Sequence, residues 1–572
     1  MSTTISRFFS ALNEEEKKLI PRLAEDHLGI NLRCALNELD LYHYNRTQTP
    51  SSDEQKTYYI LQLGVTRLVH LALKSRPSFD VPVVSFTRHP ELSIPVLQAA
   101  SALGIIQHGR RIAQYAAMGA AEITTSNRGE FNVKLPLKLK NNSGHEADVL
   151  EHFMLESKRR FENIFHTKPF QKLEKEVENK LSELVYPWET HFIGYDADPL
   201  LDDYFYGLAY HHMQLQEGFD SFHHKLKFGG ICYQHYRLAL IFIVSIYIRH
   251  EKFSEALIKK DKSINIENIL TITSDIDPFI ESLQTAVNYF GSAYEEYEEL
   301  TMDDARIVFK VLSCGRHNMD LVSAPGSPMP LIVQCSDQGF IRCLAGARSE
   351  PARYLLESLR YHFPLDYDRN QLSREGALQQ AIKRILRKAF TGLDFRENLN
   401  AKVAGELLTD IDLIVIEKIT GIVLLCQLKH QDLYGSNLHA EKIRGERLVD
   451  QTQGWLIAVD KWLNQIGVEG LRRSLQLNDD SPTLQVYRLV IAKHFAHQLM
   501  DLSSLQGALY TNWPQLVLAT ETVSRKPAQH GLADLINCLQ EIPEHQSAYE
   551  YESEENTKWS VGNLTFSIFQ AE

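Results

Sequence analysis

The chain has 572 residues, 44% of them hydrophobic, and its formal net charge at pH 7 is −13. This length predicts several domains, and the apolar content excludes a wholly disordered chain. The negative charge excludes a protein that coats nucleic acid through its overall charge, so any such contact has to be local. The seven cysteines are scattered and form no CxxC pair, which favours a reducing cytoplasm over a secreted disulfide framework.

The first residues and the longest apolar run bear on targeting. Met1–Leu12 has no basic start followed by an apolar core, so we expect no signal peptide. The run Leu238–Ile248 is too short to span a bilayer and predicts a buried core helix. We therefore expect a soluble, cytoplasmic protein that has no contact with membranes.

Residues 1–300 are predicted to be mainly helical, because apolar residues recur among charged ones at helical spacing. One strand-like stretch, Phe131–Leu139, interrupts the pattern. We interpret this region as a sensor or as a unit that binds a protein partner. The predicted helical stretches are Glu14–Tyr42, Val149–Val185, Leu201–Gln216, Tyr233–His250 and Ile276–Leu300.

A small proline-rich linker module is predicted over residues 303–370. Three prolines among Gly and Ser mark a loop. The runs Leu331–Cys335 and Phe340–Cys343 flank a short polar turn and predict a β-hairpin. A helix is predicted at Arg353–His362, followed by a linker at Pro364–Asn370.

Residues 371–540 alternate predicted helices and strands, which is typical of an α/β domain with a mixed central sheet. The acidic tail, 541–572, is predicted to be peripheral. The fold class is therefore multidomain α+β, with a large helical N-terminal region. The predicted helices of the C-terminal part are Arg374–Phe390, Leu438–Ile466 and Leu532–Leu539, and its predicted strands are Asp394–Leu399, Asp412–Glu417, Ile422–His430, Leu484–Lys493 and Leu516–Thr520.

The most informative segment is Thr409–Gln431, in which two β-rich runs flank a short turn. If Ile419 and Thr420 form a two-residue turn, Asp412 lies opposite Gln427 and Asp410 lies opposite Lys429. Directly opposed residues share a face of a sheet, so carboxylate, amide and ammonium groups gather on one face. A turn of another length shifts this pairing, but Gln427 and Lys429 still share a face.

Polar groups at one end of a strand pair that is apolar on both faces are costly unless they are paired or bind a metal. Mg²⁺ takes few hard oxygen ligands, which Asp412, the Gln427 side chain and the Leu428 carbonyl can supply. Lys429 is then placed to orient or deprotonate the attacking water. The alternative is a polar rim on an ordinary buried hairpin.

Asp412, followed after a hairpin by Gln427-Leu428-Lys429, resembles the PD-(D/E)xK restriction-endonuclease-like nuclease superfamily. The match is most similar to the Mrr-like branch, in which Gln often replaces the acidic residue of the motif. The similarity covers about residues 371–540. The sequence departs from the family pattern in having no Pro before Asp412, a position that is loose in the family.

The resemblance implies a four-stranded mixed sheet flanked by helices and Mg²⁺-dependent hydrolysis of phosphodiester bonds, with Mn²⁺ as a substitute. It further implies an endonuclease of bacterial restriction or antiviral defence, acting on double-stranded DNA as a homo-oligomer. The residues alone do not separate DNA from RNA. Family members often place a metal-assisting Glu in the first helix, and Glu375 is the matching residue, with Glu406 as a competitor.

Several basic residues are candidates for contact with the phosphate backbone, which positions a duplex without reading its sequence. For each of them the alternative is a solvated helix face. Three follow the second strand of the hairpin and two lie on the first helix: Lys442, Arg444, Arg447, Lys383 and Arg387.

Two further interpretations remain open. Cys314, His317, Cys335 and Cys343 can be read as a zinc site, although their spacing is typical of no zinc knuckle. The rival function is a non-catalytic scaffold that uses a decayed nuclease fold, favoured by the Gln in the motif and by the negative charge. A decayed site usually loses Asp412 or Lys429, and both are present.

Overall fold

A computed structural model describes residues 3–23, 27–46, 51–76, 78–79, 87–119, 121–127, 129–135, 166–189, 192–371, 373–431, 438–478, 482–494, 499, 508–525, 531–545 and 557–570. Within these residues, no helix combines the length and the apolar character needed to cross a membrane. The protein is a mixed α and β structure whose first 300 residues are mainly helical.

The helices of the first part are α1 (Thr3–Leu23), α2 (Leu28–Asn45), α3 (Ser52–Ser75), α4 (Pro90–Ala117), α5 (Lys168–Leu184), α6 (Pro199–Glu217), α7 (Tyr233–Lys260) and α8 (Ile276–Gly291). The apolar run Leu238–Ile248 lies inside α7 and is almost wholly buried, so the predicted core helix is confirmed. Of the predicted helix Val149–Val185, α5 is observed, while its residues before 166 lie outside the described ones.

Short strands connect these helices: β3 (Val185–Trp188), β4 (Phe192–Tyr195), β5 (Lys227–Phe228), β6 (Ile231–Cys232), β7 (Thr273–Asp275), β8 (Ile332–Gln334) and β9 (Gly339–Arg342). β3 pairs with β4, and β5 pairs with β6. The predicted hairpin is confirmed, because β8 and β9 are antiparallel neighbours. β7 pairs with the other side of β9 and makes a sheet of three strands.

Residues 303–370 are more helical than the sequence predicts. They contain most of α9 (Met302–Leu312) together with α10 (Leu344–Ser349), α11 (Pro351–His362) and α12 (Pro364–Gln371), the last of which ends one residue beyond them. The helix predicted at Arg353–His362 is confirmed as α11. The linker predicted at Pro364–Asn370 is wrong, because these residues form α12. Proline is tolerated in the first turn of a helix, and Tyr367 is buried in the core. The apolar side chains of this segment pack in one core with those of α2, α3, α6 and α7.

A five-stranded mixed sheet organises the C-terminal part. Its strands, in spatial order, are β10 (Leu393–Val403), β11 (Glu406–Glu417), β12 (Ile422–Lys429), β13 (Gln485–Ala492) and β14 (Ala508–Asn512). β10, β11 and β12 are antiparallel neighbours, whereas β12, β13 and β14 are parallel. The sheet thus has one strand more than the resemblance implies.

Helices cover both faces of this sheet: α13 (Arg374–Ala389), α14 (Leu438–Leu475, with a break at Gly467), α15 (Trp513–Ser524) and α16 (Leu532–His545). α13, α15 and α16 enclose one apolar core, and α14 encloses the other. The strand predicted at Leu516–Thr520 is wrong, because these residues lie in α15. Asn512 and Gln515 form a capping box that starts this helix, and the strand ends just before it.

The C-terminal segment joins residues 122–135 in a second sheet, which contradicts the predicted peripheral tail. Its strands are β1 (Glu122–Asn127), β2 (Glu130–Leu135), β16 (Leu564–Gln570) and β15 (Thr557–Val561), in that order. The strand predicted at Phe131–Leu139 is β2, and its last four residues lie outside the described ones. Phe566 is buried beside Phe8 of α1, because the tail alternates apolar and polar residues as a half-buried strand does.

Candidate functional site

The β11–β12 hairpin has the offset that the sequence predicts. The pairs run from Glu417 and Ile422 at the turn to Leu413 and Cys426, and the next position of the same offset places Asp412 opposite Gln427. The predicted partner of Asp410 is wrong. The ladder between β11 and β12 ends at Leu413 and Cys426, so Asp410 does not pair with Lys429. On the other side of β11, Asp410 pairs with Asn400 of β10, while β12 continues to pair with β13.

Asp412 lies where strand β11 changes face. Leu413 packs in the core under α13, whereas Ile411, two residues earlier, packs in the core under α14. Residues two apart in a regular strand share a face, so the alternation is broken at Asp412. Asn398, at the matching position of β10, has a left-handed φ of 52°, which Asn tolerates better than most residues. Because of this irregularity, the Asp412 carboxylate lies beside β12 at the point where β11 and β12 stop pairing.

Where the backbone pairing of β11 and β12 has ended, the Asp412 carboxylate accepts a hydrogen bond that a backbone carbonyl of the neighbouring strand would otherwise accept. Its Oδ2 accepts hydrogen bonds from Gln427 Nε2 at 2.7 Å and from the backbone N–H of Leu428 at 2.6 Å. The side chain of Gln379, on α13, donates to the backbone oxygen of Asp412. Asp412 is 8% exposed and Gln427 is 5% exposed, so both polar groups are held in a buried position.

Lys429 and Glu375 complete the cluster. Lys429 Nζ lies 3.6 Å from Glu375 Oε1, and the two side chains are 22% and 42% exposed, respectively. Glu375 is in the first turn of α13, and the backbone of Lys429 is fixed by its carbonyl, which accepts from the N–H of Lys493 at 2.9 Å. The structure thus gathers Asp412, Gln427, Lys429 and Glu375 at one end of the sheet.

Glu406, the competitor of Glu375, lies elsewhere. It is exposed beside the hairpin tip formed by Ala404 and Gly405, both of which have a left-handed φ. Asp412 is six positions further along β11, a distance of roughly 20 Å. Glu375 is therefore the carboxylate that accompanies Lys429.

The electrostatics of Asp412 are those of an uncompensated carboxylate. Burial, together with the negative charges of Glu375 and Asp410, raises the pKa of Asp412 to about 6, against the Leu428 amide and Lys429, which lower it. Within the described part of the chain, no basic nitrogen lies within ion-pair distance of Asp412. A buried carboxylate of this kind favours a proton or a cation beside it.

The surrounding oxygens fit a hard cation. The N–H of Leu428 points at Asp412, and because both backbone groups of a strand residue point the same way, its carbonyl lies on that side too. Gln427 presents its N–H₂ here, and rotation about one side-chain bond would present its oxygen instead. The described residues hold no group of three or more His, Cys, Asp or Glu side chains able to hold a metal. A metal site here would combine Asp412 with amide and carbonyl oxygens.

The basic residues of the predicted nucleic-acid surface differ in availability. Lys442, Arg444 and Arg447 are exposed on the first turns of α14, and Lys442 Nζ donates to the backbone oxygen of Met118 at 2.8 Å. Lys383 is buried in an ion pair with Glu397, so its predicted role in phosphate contact is wrong. A second residue of that helix, Arg387, is exposed and stacks over the Phe395 ring at 5.0 Å.

The structure does not bring the four predicted zinc ligands together. All four lie among the described residues, in which no metal-holding group of side chains occurs. Cys335 Sγ faces the backbone oxygen of Val333, and Cys343 Sγ accepts the N–H of Gly346. His317 Nε2 is bonded to the backbone oxygen of Lys310.

Two contacts of the site were missed from the sequence. Gln379 lies four residues after Glu375, so its position on the same face of α13 was a readable signal. Phe219 follows α6 and packs against the ring of His430, directly after Lys429, with ring centroids 6.2 Å apart. No local pattern reveals this second contact, because it joins distant parts of the chain.

Comparison of this chain with protein-family models, with curated proteins and with solved structures finds no match. The interpretation of the site therefore depends on its own geometry and on the residues that resemble the nuclease motif.

Proposed function

We propose that the C-terminal part of this protein, about residues 371–540, is a Mg²⁺-dependent nuclease that hydrolyses phosphodiester bonds of double-stranded DNA. The observation that carries the proposal is the cluster at the end of β12, where a buried, uncompensated Asp412 meets Gln427, Leu428 and Lys429. An ordinary polar rim would be exposed to solvent and would pair its charges. By resemblance, the biological setting is restriction or antiviral defence.

Each residue of the cluster has a role in this proposal. Asp412, the Gln427 oxygen and the Leu428 carbonyl would hold Mg²⁺, which when bound polarises the scissile phosphate and acidifies water. Lys429 orients the attacking water and offsets the negative charge that develops on the phosphate. Glu375 holds the ammonium of Lys429 in position at 3.6 Å until substrate binds. Gln379 fixes the backbone of Asp412.

The path of the nucleic acid is proposed from the exposed basic residues. Arg444 and Arg447 lie on α14, which begins nine residues after Lys429, and Arg387 lies on α13, the helix that carries Glu375. Phosphate contacts from Arg444 and Arg447 would place a duplex across the end of the sheet. Arg387, about 18 Å along α13 from Glu375, would add a contact further from the cluster. Because the whole chain is acidic, binding should depend on these local contacts.

A plasmid-cleavage assay tests the proposal. The wild-type protein should nick or linearise supercoiled DNA with Mg²⁺ or Mn²⁺, and a chelator should stop it. Asp412→Asn should be inactive, whereas Glu406→Gln, a matched change of an exposed carboxylate outside the cluster, should cleave at the wild-type rate. Equal activity of the two variants would exclude the cluster as the catalytic site.

A non-catalytic scaffold is the second candidate, and one observation favours it. Asp412 Oδ2 already accepts two hydrogen bonds, so the cluster is a satisfied network without metal. Calorimetric titration with Mg²⁺ separates the two functions. A scaffold should show no Mg²⁺ binding that depends on Asp412, and the nuclease should show it.

A further inference from the structure

A cavity in the helical region lies far along the chain from the candidate nuclease site. It has a volume of about 640 Å³ and lies between α6, α7 and α8. Its apolar lining includes Phe205 of α6, Phe242 and Ile246 of α7, and Phe290 of α8. This volume is within the range of cavities that hold small organic ligands, and a mostly apolar lining with few polar groups is typical of them.

The charged groups at this cavity are mainly acidic. Asp202, Asp203 and Glu281 line it, with Arg249 as the basic member. Arg249 is engaged by Asp202, and neither Asp203 nor Glu281 forms an ion pair among the described residues. The cavity therefore carries a surplus of negative charge.

An exposed aromatic ring adds to the case for a cation. Tyr289 lines the cavity and is 61% exposed, although large aromatic side chains are usually covered. The face of a tyrosine ring attracts a positive charge within about 6 Å. Burial and the charges of Asp203 and Asp198 raise the pKa of Asp202 above its ordinary value in spite of Arg249, which agrees with a negative local potential.

The cavity is connected to the end of β12 by one helix. Pro199, Asp202 and Phe205, in the first half of α6, line the cavity, and α6 ends at Glu217. Its capping residue, Gly218, has a φ of 71° and is followed by Phe219. The Phe219 ring packs on Trp513 at 5.0 Å, and Lys493 Nζ lies 4.5 Å from its centre. A displacement of α6 therefore acts on residues that hold Lys429.

We infer that this cavity binds a small organic cation with an aromatic or alkyl body and that α6 transmits the binding to the strand end at Lys429 through Phe219. The apolar lining takes the body of the ligand, and Asp203, Glu281 and Tyr289 take its positive group. The helical region is then an effector-binding unit. This inference concerns binding and conformation, and it stands or falls independently of the proposed nuclease activity.

Calorimetric titration with tryptamine tests the ligand class, with indoleacetate as its anionic counterpart. Tryptamine should bind more tightly than indoleacetate. Asp203→Asn with Glu281→Gln should weaken tryptamine binding by about 2- to 20-fold, since each exposed carboxylate contributes modestly. Glu299→Gln, a carboxylate outside the cavity, should leave it unchanged. Ala286→Trp, which fills the cavity from α8, should abolish binding. Equal binding of the two probes, or binding that survives Ala286→Trp, would overturn the assignment.

Hydrogen exchange tests the transmission without any assay of cleavage. Saturating tryptamine should slow amide exchange at the end of β12 in the wild-type protein. In Phe219→Ala, tryptamine should still bind, and exchange at β12 should no longer respond. Unchanged exchange in the wild-type protein at saturation, or the same response in Phe219→Ala, would contradict a path through Phe219.

Discussion

The side-chain amide of Gln427 donates a hydrogen bond of 2.7 Å to the carboxylate of Asp412, at the point where strands β11 and β12 stop pairing. The neighbouring N–H of Leu428 donates to the same oxygen at 2.6 Å. Two donors thus hold a buried carboxylate with which no basic side chain of the described residues forms an ion pair. A proton, a cation or a substitution at this carboxylate therefore changes the whole arrangement.

Removal of the Asp412 carboxylate should affect both folding and metal binding. Asp412→Ala leaves the Gln427 amide and the Leu428 N–H without an acceptor, and a buried unsatisfied group costs about 1–3 kcal/mol. We expect a folded protein with a lower free energy of unfolding and no Mg²⁺ binding. Urea denaturation and calorimetric titration measure the two effects. Wild-type Mg²⁺ affinity in the folded variant would show that Asp412 is no ligand.

The stability of the metal-free protein should depend on pH through Asp412. Its pKa rises from an ordinary 3.8 to about 6 on folding, so the folded state holds the proton more tightly. Asp412 therefore contributes up to about 3 kcal/mol to the free energy of unfolding below pH ~4, and this contribution is lost as pH rises through ~6. Asp412→Asn should lack this loss. The unfolding free energy of the wild type minus that of Asp412→Asn, measured with a chelator across this pH window, should fall as pH rises. A constant difference would contradict the raised pKa.

Mg²⁺ binding should have the opposite dependence on pH. A metal binds the ionised carboxylate, so protons compete with Mg²⁺ below the pKa of about 6. Affinity should fall by roughly tenfold per pH unit below 6 and level off above 7. Calorimetric titration at several pH values gives the slope. Affinity that does not change between pH 5 and 7 would place the cation away from Asp412.

Two substitutions of Gln427 should distinguish the effect of an added negative charge from the effect of losing the side-chain oxygen. Gln427→Glu adds a carboxylate beside Asp412, so activity should persist and half-maximal cleavage should need less Mg²⁺. The added charge also raises the pKa of Asp412 further, so this gain should be clearest above pH 7. Gln427→Leu keeps the bulk and loses the oxygen, so cleavage should fail. A Leu variant with the Mg²⁺ titration of the wild type would show that Gln427 is no ligand.

Reversal of two exposed arginines should weaken DNA binding. Arg444→Glu with Arg447→Glu should lower affinity and reduce the slope of binding against salt by roughly one for each lost phosphate contact. Lys442 is left unchanged in this test because it is bonded to Met118. Lys172→Glu with Lys175→Glu, on α5, changes the charge equally and should leave the slope unaltered. If both pairs act alike, the arginines contribute only to the overall charge.

The sequence contains enough information for the site but not for its surroundings. The β11–β12 offset was predictable once the turn was centred on Ile419 and Thr420, between the two apolar runs. The end of this pairing before Asp410 was not predictable, because it depends on the irregularity at Asp412 and not on the turn. The extension of β10 to Val403 was also missed, since its polar residues resemble a loop. The polar residues are explained by the exposed face of this extension, because half of it is solvated while Ala401 is buried.

Long-range contacts were the main source of error. The pairing of β16 with β2 joins segments more than 400 residues apart in the chain, and no local pattern reveals a partner so distant. The same limit applies to Phe219, which enters the core under α13 from the helical region. The strand predicted at Leu516–Thr520 failed for a local reason, since the cap at Asn512 outweighs the β-branched composition that follows.

The most direct test of the proposed nuclease site is the rate of plasmid cleavage by Lys429→Ala at saturating Mg²⁺. Lys429 is not a proposed metal ligand, and it is partly exposed, so this variant should fold and bind Mg²⁺ as the wild type does. Its cleavage rate should fall by about 100-fold or more, since general acid–base residues contribute about 10²–10⁴-fold. Cleavage at the wild-type rate by the folded, Mg²⁺-binding variant would contradict the assignment of this cluster as a nuclease site.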